Sequence, residues 1–82
     1  MKDEIMLARG RHALLVRERR ELSLEGKGLV QVIRAKLDPF EPDLAKLNVE
    51  EAEVSIHRLK DVQAKIREMD AQIREITEAI GD

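Results

Sequence analysis

The chain has 82 residues, of which 39% are charged, with a net charge of −2 and no cysteine. That length bounds it to a single domain over residues 1–82 with a small core. The missing cysteines exclude disulfides, thiol catalysis and Cys-based zinc sites.

The only aromatic residue is Phe40. The remaining apolar residues are mainly Leu, Ile, Val and Ala, which suit a thin helix–helix seam. No apolar run approaches the ~20 residues that span a bilayer, so no membrane partner is expected. Lys2-Asp3-Glu4 is followed by no long apolar run; no secretory signal is read, and the cytoplasm is the expected compartment.

A first helix is predicted over about 3–37. Asp3 and Glu4 suit the positive end of its dipole. At 100° per residue, Ala8, Leu15, Leu22, Leu29 and Ile33 share one face, with Leu7, Leu14, Val32 and Leu37 at its flanks. Arg11, Glu18 and Glu25 intrude into that face. Gly26 and Gly28 each cost about 1 kcal/mol against Ala within a helix. The Leu15–Leu22–Leu29 spacing crosses them without a phase change, so the helix is expected to run through.

Asp38-Pro39-Phe40-Glu41-Pro42 breaks the pattern. Proline cannot continue helical bonding, and the residue before it avoids helical angles. A turn at 38–42 is predicted, with Pro42 at the first position of a second helix over about 42–80. Asn48-Val49-Glu50-Glu51 offers a second start, with Asn as cap and Glu three residues on. Gly81 is the C-terminal stop.

The second helix carries the clearest signal in the chain. Leu59, Val62, Ile66, Met69, Ile73, Ile76 and Ile80 follow one another in alternating steps of three and four. This is a heptad stripe that buries against another helix. Upstream, Val49, Ala52 and Ile56 read as its continuation, with a stammer before Val62.

Two arms of roughly 50–60 Å, at 1.5 Å per residue, joined by a short turn, predict an all-α fold: a long antiparallel helical hairpin of coiled-coil type. A two-helix seam leaves each helix largely solvated, and Ile at both a and d favours higher bundles. Dimerisation into a four-helix bundle is therefore expected. Its seam is formed by Leu15, Leu22, Leu29 and Ile33 with the seven stripe residues of the second helix.

Charge is divided unevenly. Residues 1–40 hold nine Lys/Arg and six Asp/Glu (9 − 6 = +3), and residues 41–82 hold six and eleven (6 − 11 = −5). Opposite charge favours side-by-side packing of the two arms. Arg9, Arg20, Lys27 and Arg34, with Lys2 and Arg17 nearby, form a basic ridge opposite the Leu face. Such a ridge can neutralise spaced phosphates; it also serves as an ordinary solvated face, the more common role of such charges.

Glu50, Glu53 and His57 share a face of the second helix, but His57 lies off the apolar stripe and His12 stands alone. Neither is read as a metal ligand. Gly26-Lys27-Gly28 is too short for a phosphate loop and follows no strand. No nucleophile–base pair is present. The sequence thus predicts a non-enzymatic protein–protein interaction or assembly module with no cofactor and no catalytic residues, a homo-oligomer open to a further protein partner. A small nucleic-acid-binding bundle using the ridge is the alternative.

Overall fold

The computed structural model describes residues 2–81. Two helices, α1 (Lys2–Lys36) and α2 (Val49–Ile80), pack along their length, and a single 3-10 turn, Leu44–Lys46, lies between them. There is no strand among the described residues. The result is an antiparallel hairpin of 64 × 17 × 14 Å.

Helix α1 is continuous through Gly26 and Gly28, as the unbroken Leu spacing predicts. Asp3 and Glu4 occupy its first turn, and Arg34 and Lys36 its last. At the far end, Gly81 adopts the left-handed conformation (φ 83°, ψ 23°) and donates its N–H to the carbonyls of Thr77 and Glu78. A side chain there would strain the backbone, which is why glycine closes the helix.

The connection is longer than the sequence suggests, and α2 begins at Val49 rather than near Pro42. Acidic side chains hold the intervening backbone in turns that compete with a helix. Asp38 Oδ1 accepts from the Phe40 N–H (2.9 Å), Glu41 Oε1 from Asp43 (3.1 Å) and Asp43 Oδ1 from Ala45 (3.0 Å). Asp43 and Leu47, either side of the 3-10 turn, are extended.

The second start signal is the one used. Asn48 Oδ1 accepts from the Glu51 N–H at 3.3 Å, capping α2, while the Asn48 N–H donates to the Lys36 carbonyl of α1 at 3.3 Å. One residue therefore ends one helix and starts the other.

The core is narrow. Leu15, Ala52 and Val62 are the buried apolar side chains among the described residues. On α2, burial and half-burial recur at Ala52, Ser55, Leu59, Val62, Ile66, Met69, Ile73, Ile76 and Ile80. These steps of three and four never break. The expected stammer is absent, because Ser55 takes the seam position and Val49 and Ile56 are exposed.

Ile66, Met69 and Ile73, at the centre of the stripe, are only half-buried, whereas Val62 is 3% exposed and Ala52 1%. Two helices cover a large side chain from one side only. Small or centrally seated residues alone disappear completely.

On α1 the matching positions are Ala8, His12, Leu15, Arg19, Leu22, Gly26, Leu29, Ile33 and Lys36, again in steps of four and three. Four of these nine, His12, Arg19, Gly26 and Lys36, carry no apolar side chain. Gly26 is buried, and a Cβ placed there would lie 3.5 Å from Val62 Cγ1 and 3.6 Å from Leu59 Cδ1. These are ordinary contact distances, so Leu59 and Val62 would pack against an alanine there without moving.

Candidate interaction surface

Among the described residues, ion pairs cross the hairpin at three places. Arg19, in the α1 seam, pairs with Asp70 through Nε–Oδ1 and through Nη2–Oδ2 at 3.1 Å. Both nitrogens of the Arg58 fork reach Glu25 Oε1, at 3.0 and 2.7 Å. Lys36 pairs with Glu51 beside the connection.

Hydrogen bonding to Arg19 holds the Asp70 carboxyl below its ordinary value, against desolvation, and Asp70 in turn raises Arg19. Glu51 is lowered by its hydrogen bond from Lys36, and Arg58 is raised by Glu25. Each pair is partly open to water, so its contribution is geometric alignment more than stability.

The seam assigns every other residue to a side. On one side a groove of about 360 Å³ opens between the helices, lined by Ser23, Gly26, Lys27, Val30, Leu59, Val62, Gln63, Ile66 and Arg67. Gly26 lies in its floor. Lys27 and Arg67 stand on its opposite walls. Residues seven apart share a helix face, so Arg20 and Arg34 extend one wall and Lys60 and Arg74 the other.

All six of these cations are exposed. The basic ridge is thus half of a broader face. Arg20, Lys27 and Arg34 lie on its wall, Arg9 lies nearer the seam, and Arg17 points outward. The matching cations of α2 are missed when each helix is read alone; the seven-residue spacing of Lys60, Arg67 and Arg74 was the available signal.

The other side has the opposite sign. Glu18, Glu21, Glu25, Leu22, Lys65 and Met69 line one depression, and Glu25, Arg58, Asp61 and Lys65 help line the next. Asp61 repeats at Glu68 and Glu75. Arg58 is engaged by Glu25, leaving Lys65 and Arg11 as the cations here. Leu14 and Val32 lie one heptad from Glu21 and Glu25 respectively, and both are exposed, Leu14 by 52%.

The seam residues singled out from the sequence are placed at the helix contact: Leu15 and Val62 are buried, and Leu22, Leu29, Ile33, Leu59, Ile66, Met69, Ile73, Ile76 and Ile80 half-buried. Glu25 and Arg11, which the sequence puts in the α1 seam, are exposed beside it. His12, Arg19 and Gly26 occupy seam positions that an apolar-only reading passes over.

Glu53 and His57 approach to 3.8 Å on the solvent side of α2. Among the described residues no group of three or more His, Asp or Glu gathers to hold a metal ion, and no helix is long and apolar enough to cross a membrane. No protein-family model, curated protein or solved structure matches the chain.

Proposed function

We propose that the chain is a protein–protein interaction or assembly module, a helical hairpin that completes its burial by associating with further copies of itself, two hairpins giving a four-helix bundle. The carrying observation is surface. The hairpin exposes 6799 Å² for 9.4 kDa, against about 5,000 Å² for a compact monomer of that mass. The excess, 6799 less about 5,000, is about 1,800 Å², and a standard interface takes about 800 Å² from each partner. Ile5, Leu7, Leu14, Val30, Val32 and Ile56 are among the exposed apolar side chains.

Size-exclusion chromatography with light scattering tests the reading. A mass above the 9.4 kDa of one chain is expected. A monomer that stays folded at high micromolar concentration would overturn it.

A second reading, contact with nucleic acid through Arg9, Arg20, Lys27 and Arg34, is favoured by one observation: these side chains are exposed and Lys60, Arg67 and Arg74 broaden their face. Titration of generic DNA and RNA against salt tests it, since phosphate contacts give a steep salt slope. Reversal of the four ridge residues to Glu should abolish such binding.

A further inference from the structure

We propose that self-association is heterologous: the basic, grooved face of one hairpin packs on the acidic face of the next. The inference rests on the self-association reading and adds which surfaces meet. The two faces lie on opposite sides of the same rod. One has an apolar floor at Val30, with Ile56 further along it, between walls carrying Lys27 and Arg67. The other presents Glu18 and Glu21 with Leu14 and Val32 exposed nearby.

Pairing like faces would set cation rows against cation rows, or carboxylates against carboxylates, which is disfavoured. Pairing unlike faces joins opposite charges around apolar side chains. The areas agree with this arrangement. Two faces at about 800 Å² each account for most of the surface excess of the rod. A head-to-tail contact whose two surfaces lie on opposite sides does not close on itself. Two hairpins joined in this way make the four-helix unit, and the free face at each of its ends adds further copies stepwise, so association grows with concentration and weakens with salt.

The test is a charge swap in the full chain, read by sedimentation velocity over a range of concentration and salt. Far-UV circular dichroism verifies that each variant stays helical. Lys27→Glu with Arg67→Glu should weaken association by at least about tenfold, and so should Glu18→Lys with Glu21→Lys, since close like charges cost more than the ~1.4 kcal/mol that a factor of ten represents. The chain carrying all four changes should recover association, because its faces are again opposite.

A wild-type chain that is monomeric throughout would overturn the self-association reading and this inference with it. Binding of that monomer to a generic oligonucleotide would give the basic face to polyanions. A wild-type oligomer indifferent to both reversals, or one that the fourfold variant fails to restore, would overturn the choice of faces alone.

Discussion

Replacing Gly26 with alanine probes the hairpin at its closest approach. The residue is helical, so a methyl group should recover about 1 kcal/mol of helix propensity. The new Cβ would sit 3.5 Å from Val62 Cγ1 and 3.6 Å from Leu59 Cδ1, ordinary contact distances that require no movement. Burying one methyl group there adds up to ~0.8 kcal/mol. The sum is a stabilisation of about 1.5–2 kcal/mol.

Gly28 is the control, since it is helical too but has nothing within 4 Å of its virtual Cβ. Gly28→Ala should gain only the ~1 kcal/mol of propensity. For a domain of this size each 1 kcal/mol moves the melting midpoint by roughly 4–8 °C. Urea titrations by circular dichroism at one fixed protein concentration separate the variants, the concentration being held because association itself shifts stability. If Gly26→Ala falls below the wild type while Gly28→Ala rises, the helices are closer than 3.5 Å permits. If the two variants gain equally, residue 26 does not face Leu59 and Val62.

Ile73→Asp should unfold or dissociate the hairpin, because an unpaired charge in the seam costs several kcal/mol and a domain this small has only ~5 kcal/mol to lose. Ala71→Asp, on the exposed face, should lose at most a few tenths of a kcal/mol; a reversed order in thermal melts would refute the seam. Asn48→Ala should cost about 1 kcal/mol through the lost cap, measured by denaturant midpoint, and an unchanged midpoint would mean the cap is idle. The depressed Asp70 and Glu51 carboxyls contribute stability above their unfolded values of about 4 that is lost as pH falls through their lower native values. Asp70→Asn with Glu51→Gln should flatten the acid side of the melting profile; an unaltered slope would contradict the pairings.

The α2 stripe was legible because every seam position from Leu59 onward is apolar. The α1 seam was half legible. Leu15, Leu22 and Leu29 announce one row, but the other is His12, Arg19, Gly26 and Ile33, and of these only Ile33 reads as core. Arg19 tolerates the position because Asp70 meets it at the seam edge. Gly26 lies buried in the seam against Val62 and Leu59. Ser55 hid the true phase of α2 by being polar beside an apolar Ile56.

The start of α2 was misplaced for a local reason. Pro42 suits a helix start, but the carboxylates of Glu41 and Asp43 bind nearby N–H groups and favour turns. The charge of each face was out of reach from either helix alone, since each draws on residues of both helices.

The seven-residue blocks 60–66, 67–73 and 74–80, each basic, acidic and apolar at its first three positions and Ile at its last, carry a hazard of misalignment. Sliding α2 by one block, about 10.5 Å at 1.5 Å per residue, would present the seam with another set of apolar residues. Specificity must come from what does not repeat. A slip would set Arg19 against Gln63 or Thr77 instead of Asp70, and would remove Val62 from the hollow at Gly26. The hydrogen bond from Asn48 to the Lys36 carbonyl anchors the two helices where the chain leaves one and enters the other, within a fraction of that slip distance. The connection therefore acts as the ruler of the hairpin, and lengthening it by a block would leave the ion pairs and Gly26 alone to choose among alignments.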